Sequence, residues 1–294
     1  MVIVKLMGGL GNQMFQYALG RAMANCLGTT LKLDLDFLLD RTPRENFVFR
    51  DYDLDIFNLS VERALPDDIS PFFYQPKNRF DALVSRLKKC WVPYTVYREA
   101  HFHVDPAVFL LSGNIYLEGY WQSAQYFQDI EDEIRTDFSF RSPIEPTSKQ
   151  LSDEIENKNS VCVNVRRADF LNTSFHGVCD MKYFGPAVKL LASRVKDSHF
   201  FVFSDDPEWC LNNFNLPYRF TFVGHEHKGE KFSSYLQLMA RCKHFIIPNS
   251  SFAWWAVWMN RGDDKIVVAP TVWFTDTSWD TGDLIPKSWI RIEN

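Results

Sequence analysis

The sequence predicts an α/β protein with two domains, each built on a parallel sheet covered by helices. First, the chain of 294 residues exceeds the usual size of one domain. Second, residues 2–37 read as a strand, a glycine turn, a helix and a second strand, which is one βαβ unit. Third, compact apolar strands alternate regularly with helices beyond residue 150.

The first half of the sequence begins with clearly predicted strands and helices, and the pattern then becomes irregular. VIVKL at 2–6 is a buried strand, apolar residues recur at helical spacing from Phe15 to Cys26, and Gly28 predicts the helix end. TLKLDLDF at 30–37 alternates as a strand. Residues 40–110 show no stable period and are interpreted as short helices and long loops. NIYLEGYWQ at 114–122 then predicts a strand, followed by a helix near 124–137.

A segment with two prolines, RSPIEPTSK at 141–149, is the best linker candidate. It places the domain boundary between residues 145 and 146. Beyond it the predicted strands are SVCVNVRR, HFFVFSDDP, RFTFVG, HFIIPNSS and, as the final strand, KIVVAP. The predicted helices are YFGPAVKLLASRV, SSYLQLMARC and SFAWWAVWMN. The default ligand site is the cleft between the two domains.

Charge and aromatic content narrow the function classes. The net charge is -5, from 32 Lys+Arg against 37 Asp+Glu. The sequence therefore shows neither the basic patch of a nucleic-acid-binding protein nor a polybasic segment that binds membranes. Aromatic residues reach 16%, which fits a large core but also suits stacking on sugars. A non-catalytic glycan-binding module is therefore one alternative to an enzyme.

The cysteines and apolar runs indicate a soluble, cytoplasmic protein. The six cysteines are scattered without a C-x-x-C pair, which favours reduced thiols over a disulfide scaffold. MVIVKLM is too short for a signal peptide, and the apolar run at 252–259 is too short for a bilayer that needs roughly 20 residues. A peripheral association with the inner face of the membrane stays open.

The glycine turn in MGGLGNQMFQYALG, residues 7–20, is rich in glycine like a phosphate-binding loop, but its glycine spacing does not support that function. It lacks the Lys-Ser/Thr of a P-loop, and its glycines do not follow G-x-G-x-x-G. We expect close backbone approach of a ligand at Gly9 and Gly11 instead. Asn12 and Gln13 would supply amide groups at the start of the helix.

The strand ends of the second half carry the strongest chemical signal, because ligands bind beyond the carboxyl ends of parallel strands. Arg166 follows one strand and suits bidentate contact with a phosphate. Ser250 or Ser251 can cap the next helix, whose N–H groups form an anion site. Together they predict a diphosphate cradle. The alternative is that the serines are only a cap and that Arg166 pairs with Asp169.

Three acidic motifs leave alternatives open. In SDDP, one of Asp205 and Asp206 would cap the helix that starts at Pro207, and the other would be free to accept the N1–H and amino hydrogens of guanine. In DLD, Asp34 and Asp36 could bind a metal, but a strand's polar face would place them there anyway. His225 and His227 flank an acid in a loop and are interpreted as solvated.

Taken together, six motifs resemble the bacterial α1,2-fucosyltransferases of glycosyltransferase family eleven. The motifs, in the family's order, are GGLGNQMFQYA, GYWQSAQYF, NVRRADF, FSDDP, IPNSSFAWWAVWMN and DLIPKSWIRI. The resemblance implies a GT-B fold with two Rossmann-like domains facing across a cleft. Residues 1–145 would form the acceptor side and residues 146–294 the donor side. It also implies a GDP-fucose donor, inversion at the fucose anomeric carbon and no required metal or other cofactor.

The resemblance further assigns roles to individual residues. Arg166 would bind the β-phosphate and act in catalysis. The implied donor-binding residues are Gly9, Gly11, Asn12, Gln13, Asn164, Arg166, Asp205, Asp206, Asn249, Ser250, Ser251 and Phe252. The family's usual histidine and glycine are Asn164 and Ala168 here, so a base at position 164 is excluded. Apart from the resemblance, Asp169 is a candidate base because it belongs to the same predicted loop as Arg166, and a structural pairing of Asp169 with Arg167 is an equal alternative. Glu118 and Asp36 are weaker candidates.

The expected function is transfer of L-fucose from GDP-β-L-fucose to the 2-OH of a terminal β-galactose. The acceptor would be an oligosaccharide or a polysaccharide repeat, as in O-antigen biosynthesis, and a lipid-linked acceptor would bring the protein to the membrane. A metal-dependent GT-A transferase that uses DLD is the enzymatic alternative. The sequence makes no prediction about oligomeric state. It excludes a nucleic-acid partner.

Overall fold

The computed structural model divides the chain into two compact units. Unit 1 comprises Met1–Pro43 and Phe49–Ser139, and unit 2 comprises Arg44–Val48 and Phe140–Asn294. The residues that the structure describes are 1–44, 48–74, 93–168, 171, 177–276 and 278–294. The predicted boundary between residues 145 and 146 lies close to this division.

Unit 1 contains a five-stranded parallel sheet. Its strands are β1 Val2–Lys5, β2 Leu31–Asp34, β3 Glu62–Arg63, β4 Tyr94–Arg98 and β5 Asn114–Glu118. Its helices are α1 Leu10–Cys26, α2 Asp36–Leu39, α3 Pro66–Ile69 and α4 Glu131–Asp137, with 3-10 turns at Leu54–Ile56, Ser70–Phe72, Pro106–Leu110, Ala124–Tyr126 and Gln128–Ile130. The sheet order is β3-β2-β1-β5-β4, so the chain reverses its direction of growth between β1 and β5.

Helix α1 packs against the central strand β1, as the sequence predicts. A Cβ atom added to Gly20 would lie 2.4 Å from Cγ2 of Val4, so glycine permits the close contact of helix and sheet. Gly28 follows the helix with a φ of 57°, the left-handed conformation that commonly ends helices. The predicted βαβ unit is therefore confirmed.

Three parts of unit 1 differ from the prediction. TLKLDLDF is not one strand, because β2 ends at Asp34 and α2 begins at Asp36. Strand β4 was not predicted, although YTVYR is rich in the aromatic and β-branched residues that favour strands. The helix predicted near 124–137 is two 3-10 turns followed by α4.

Unit 2 contains a six-stranded parallel sheet. Its strands are β6 Asn159–Val165, β7 Ser198–Ser204, β8 Arg219–Val223, β9 His244–Ile246, β10 Val267–Pro270 and β11 Ile290–Ile292. Its helices are α5 Pro146–Asn157, α6 Met181–Arg194, α7 Pro207–Asn213, α8 Ser233–Arg241 and α9 Ser251–Met259, with 3-10 turns at His225–His227 and Glu230–Phe232. The order β11-β10-β9-β6-β7-β8 corresponds to 6-5-4-1-2-3 within the unit, the order of the Rossmann fold.

Apolar side chains bury both faces of this sheet. Strand residues such as Val163 and Phe200 are fully buried in one hydrophobic cluster with Tyr183 of α6. In α9, Trp254 and Trp255 are also buried, and Trp254 Nε1 donates to the carbonyl of Leu284 at 2.8 Å. These aromatic rings of unit 2 therefore fill the core.

Unit 2 differs from the prediction made from the sequence at two places. KIVVAP is not the final strand, because β11 adds beside β10 at the edge of the sheet. Helix α5 begins within the predicted linker, with Pro146 in its first turn, a position where proline is favourable. Across the part of the chain that the structure describes, no helix is long and apolar enough to cross a bilayer.

Candidate functional site

The switch point of unit 2 brings two predicted motifs together. Strands β6 and β9 are hydrogen-bonded neighbours, and Val163 pairs with Ile246. Arg166 directly follows β6, and Asn249 comes three residues after the end of β9. Adjacent strands lie about 4.8 Å apart, so the arginine and serine motifs leave the sheet side by side. Between such diverging strand ends, doubly wound folds bind their ligands.

Ser250 is the N-cap of α9, which confirms the prediction of a serine cap. Its Oγ accepts a hydrogen bond from the backbone N–H of Ala253 at 3.4 Å, and Ser251 is the first helical residue. The N–H groups of a helix N-terminus carry partial positive charge toward the sheet edge. This helix end therefore favours an anionic ligand at the switch point.

Arg166 lies on the other side of the switch point and pairs with a carboxylate from the neighbouring strand. Its Nε is 3.2 Å from Oδ2 of Asp205, and its side chain is 28% exposed. Asp205 also accepts hydrogen bonds from the backbone N–H groups of Arg167, at 2.8 Å, and Ala168, at 3.2 Å. Asp205 therefore fixes the loop that presents Arg166.

Arg167 has a different environment from its neighbour. Its guanidinium carbon lies 4.1 Å from the ring centroid of Trp209, and its Nε is 3.3 Å from Oδ2 of Asp206. Asp206 also caps α7 by accepting from the N–H of Trp209 at 3.1 Å. Stacking and ion pairing together anchor Arg167 to α7.

The prediction for SDDP is half confirmed. Asp206 is the helix cap, as one of the two acids was expected to be. The expectation that the other acid is free was wrong, because Asp205 binds two backbone N–H groups and Arg166. This role could not be predicted from the sequence, because the amides that donate to Asp205 belong to Arg167 and Ala168, in the turn after β6. A guanine contact by either acid stays a prediction.

Two asparagines predicted at the donor site are bonded within the protein. Asn249 is 2% exposed, and its Nδ2 donates to the carbonyls of Gly177, at 3.0 Å, and Trp273, at 2.9 Å. Asn164 is 7% exposed and donates to the carbonyl of Phe203 at 3.3 Å. Both amides serve protein contacts, and the donor contacts of Asn164 and Asn249 stay predictions. The catalytic candidate Asp169 lies outside the described residues.

The glycine turn of unit 1 is a tightly bonded connection at that unit's own switch point. Gly8 has a φ of 75°, and Gly9 is the N-cap of α1 without a side-chain cap. In the first turn of α1, Asn12 Oδ1 accepts from Nε2 of Gln122, which follows β5, at 2.9 Å. The loops after the two strands that flank the reversal are thus joined directly.

Gln13 makes several hydrogen bonds within the protein. It is fully buried, and its amide donates to the carbonyls of Gly8, at 3.0 Å, and Asp51, at 2.8 Å. Its Oε1 accepts from the N–H of Asp53 at 3.0 Å. Gln13 thus connects the glycine turn to the chain at 51–53, and its predicted donor contact stays a prediction.

The acids of unit 1 proposed as metal ligands or bases have protein partners. Asp34 is buried and accepts from the hydroxyl of Tyr116, while Asp36 pairs with Arg63 at 3.0 Å. Among the described residues, no group of three or more His, Cys, Asp or Glu side chains could hold a metal ion.

Glu118 is a poor base for a related reason. Burial pushes the pKa of Glu118 upward, but hydrogen bonds from Lys5, at 2.6 Å, and Arg98, at 2.8 Å, outweigh this and hold the pKa below its usual value. A carboxylate with a lowered pKa takes up a proton weakly, so Glu118 is disfavoured as a general base.

The geometry of unit 2 indicates the kind of ligand that the protein binds. A doubly wound parallel sheet carries an arginine and a serine-capped helix at its switch point, which suits a phosphate-bearing ligand of the nucleotide type. The chain belongs to glycosyl transferase family 11, whose sequence model matches residues 94–293. It is therefore an enzyme that transfers a glycosyl group.

Three relatives illustrate this membership. An alpha-1,2-colitosyltransferase of Escherichia coli is 32% identical over 99% of both chains. The O-antigen biosynthesis glycosyltransferase WbnK of Escherichia coli is 29% identical over 98% of this chain and 99% of its own. The galactoside alpha-(1,2)-fucosyltransferase 1 of Rattus norvegicus is 25% identical over 87% of this chain and 62% of its own.

Solved structures support the fold. A mutant of Arabidopsis thaliana FUT1 in complex with GDP gives a TM-score of 0.51 at 11% identity, over 90% of this chain and 69% of that one. NodZ alpha-1,6-fucosyltransferase co-crystallized with GDP gives 0.50 at 17% identity, over 87% and 91%. The predicted GT-B-like class with two Rossmann-like units is confirmed, and the GT-A alternative is not supported.

Proposed function

We propose that this enzyme transfers L-fucose from GDP-β-L-fucose to the 2-OH of a terminal β-galactose, with inversion at the anomeric carbon. The observation that carries the proposal is that Arg166 directly follows β6 while the Ser250-capped helix α9 follows β9, the hydrogen-bonded neighbour of β6 at the switch point of a Rossmann-like sheet. The named activity of the Rattus norvegicus relative supports the choice of fucose, of galactose and of the α1,2 linkage.

The proposed mechanism depends on stabilising the departing GDP. The donor carries a β-linked fucose, so the acceptor hydroxyl attacks opposite the diphosphate and gives an α-linked product. Negative charge grows on the β-phosphate as the glycosidic bond breaks, and fixed positive groups at that position lower the barrier. Arg166, held by Asp205, and the N-terminus of α9 supply these groups.

The acceptor hydroxyl also loses a proton during transfer. Asp169 stays the candidate base from the sequence, in which it comes four residues after the end of β6. Asp36 and Glu118 are weaker still, because each is paired with a cation at 3.0 Å or less. Proton removal is therefore assigned to Asp169 as a proposal, and the reaction is proposed to need no metal.

Colitose is a second candidate sugar, favoured by the colitosyltransferase that is 32% identical to this chain. Colitose is fucose without its 3-hydroxyl group. The test presents GDP-fucose and GDP-colitose with a panel of β-galactosides in excess EDTA, and the linkage is determined by NMR. We expect α1,2-linked fucose; transfer of colitose alone, another linkage, or loss of activity with EDTA would contradict the proposal.

Asp205→Asn tests which role this acid has. If Asp205 fixes the Arg166 loop, the substitution removes one acceptor and the ion pair, and GDP and IDP should both bind about tenfold more weakly, in line with the loss of a charged hydrogen bond. IDP lacks the 2-amino group of guanine. A selective loss for GDP, measured by calorimetry, would instead show a guanine contact. Asn213→Ala, on α7 of the same unit, is the control.

We also propose that the enzyme works at the cytoplasmic face of the membrane on a lipid-linked acceptor. The name of the O-antigen biosynthesis relative supports this location. Cell fractionation checks it: the protein should sediment with membranes that contain the lipid-linked repeat. In cells that lack the acceptor lipid, we expect the protein to be distributed equally between the membrane fraction and the soluble fraction.

A further inference from the structure

Two buried polar atoms of unit 1 have no hydrogen-bond partner, and they belong to consecutive residues. In the described part of the chain, Trp121 Nε1 and Gln122 Oε1 are the buried side-chain nitrogen and oxygen atoms without a partner. Both residues follow β5, at the switch point of unit 1. Buried polar atoms are almost always satisfied in native proteins, so this concentration in one loop requires an explanation.

The turn that carries these residues is held in an unfavourable conformation. Trp121 has a φ of 56°, which is rare for a bulky residue. Both carboxylate oxygens of Glu99 accept backbone hydrogen bonds, from Tyr120 at 2.7 Å and from Trp121 at 2.9 Å. A Cβ atom on Gly119 would lie 2.4 Å from Cβ of Glu99, so the turn closes tightly over this side chain. Such strain persists where the surrounding contacts enforce it, often at ligand sites.

Gln122 is anchored at one end of its amide. Nε2 donates to Oδ1 of Asn12, in the first turn of α1, while Oε1 of the same amide has no partner. The side chain is 6% exposed. The oxygen therefore lies at the N-terminal end of α1, where the bond to Asn12 fixes it.

The chemistry of this oxygen selects the ligand group. A carbonyl oxygen accepts hydrogen bonds, so its partner must be a donor, and the oxygens of an ionised diphosphate are acceptors. The carboxylates of Glu99 and Glu118, which follow and end β4 and β5, also disfavour an anion there, although Lys5 and Arg98 pair with Glu118. A hydroxyl group of a neutral sugar fits, and the half-exposed ring of Tyr120, at 38%, offers it an aromatic surface.

We propose that Gln122 binds a hydroxyl group of the saccharide acceptor and thereby contributes to acceptor specificity. Glu99 is a positioning residue, because it holds the turn that sets Gln122 against Asn12. This inference rests on the proposed transfer to a galactoside and adds the residue that recognises it. It also places the acceptor, rather than the diphosphate, at the glycine turn of unit 1.

Gln122→Met tests the proposal, since methionine has nearly the same length and no amide. The acceptor KM should rise roughly three- to tenfold, the usual effect of losing one neutral hydrogen bond, while the donor KM and GDP affinity change less than twofold. Gln128→Met, an exposed glutamine of the same unit, is the matched control and should change neither constant. A rise in the donor KM, or a fall in melting temperature without a selective acceptor effect, would overturn the proposal.

Deoxygenated acceptors identify the hydroxyl. With one of the 3-, 4- or 6-deoxy galactosides, the KM penalty of Gln122→Met should vanish, because the lost partner is already absent. Glu99→Ala should raise the acceptor KM with the same deoxy pattern if it acts by positioning the turn. If the penalty is equal for all the acceptors, Gln122 does not contact a hydroxyl.

Failure of this inference can be separated from failure of the proposed function. If the wild-type enzyme transfers nothing from GDP-fucose, the proposed function is contradicted. Saturation-transfer NMR with methyl β-galactoside then tests Gln122 by binding alone: the signal should weaken in Gln122→Met and persist in Gln128→Met. Equal signals in both variants would contradict the role of Gln122.

Discussion

Arg166→Ala is expected to lower the rate of transfer at least about 100-fold while the protein stays folded. Removing one preorganised group at a developing negative charge typically costs about 10²- to 10³-fold in rate, or roughly 3–4 kcal/mol of transition-state stabilisation. The fold should tolerate the change because Asp205 keeps its bonds to the backbone of Arg167 and Ala168. The lost ion pair is partly exposed and contributes about 1 kcal/mol or less.

Two other variants make this result specific. Arg166→Lys keeps the charge but loses the planar fork, so its rate should fall between those of the wild type and Arg166→Ala. Arg219→Ala removes an exposed arginine at the opposite end of the same sheet and should leave kcat unchanged. Steady-state kinetics and a thermal melt measure both effects. Near-normal turnover in folded Arg166→Ala would refute the assignment.

Gly8→Ala is expected to lower transfer at least about tenfold and to destabilise the protein by about 1–2 kcal/mol. The destabilisation follows from the φ of 75°, since a left-handed conformation costs an L-residue about that much. The loss of activity follows from contact, because the new Cβ atom would lie 2.4 Å from Nδ2 of Asn12. Asn12 must then move, which disturbs its bond to Gln122, and small displacements at a site reduce rates strongly.

Gly28→Ala separates these two causes. Gly28 has a φ of 57°, but a Cβ atom there would meet nothing within 4 Å. Its substitution should therefore destabilise the protein to a similar extent and leave transfer unchanged. Denaturant unfolding gives the stability of both variants, and kinetics with saturating donor gives their activity. Equal activity in the two variants would show that the position of Asn12 does not matter for transfer.

The sequence predicts the α/β class and most of the strands because a parallel sheet buried on both faces requires compact apolar runs. VIVKL, SVCVNV and HFFVFS carry that signal. Three edge strands do not carry that signal: β3 has two residues and both are exposed, β11 has three residues, and β4 has no fully buried residue. TLKLDLDF was interpreted as one strand because alternation cannot show where Asp36 begins a helix.

The site was predictable to the extent that strand ends share one edge of a sheet. Arg166 and Ser250 could be assigned to the ends of neighbouring strands in this way, and the cap at Ser250 follows from residue type. The partners of Asn249 and Gln13 could not be predicted, because carbonyls of distant loops bind them. The unpartnered oxygen of Gln122 likewise depends on a turn conformation that no sequence pattern shows.

A crystal structure of the enzyme with GDP tests whether the diphosphate binds at the switch point of unit 2. We expect the diphosphate beyond the ends of β6 and β9, with its β-phosphate in contact with Arg166 and with the N-terminus of α9. A diphosphate bound at the Gly8–Gly9 turn of unit 1, or at another edge of the sheet of unit 2, would contradict it.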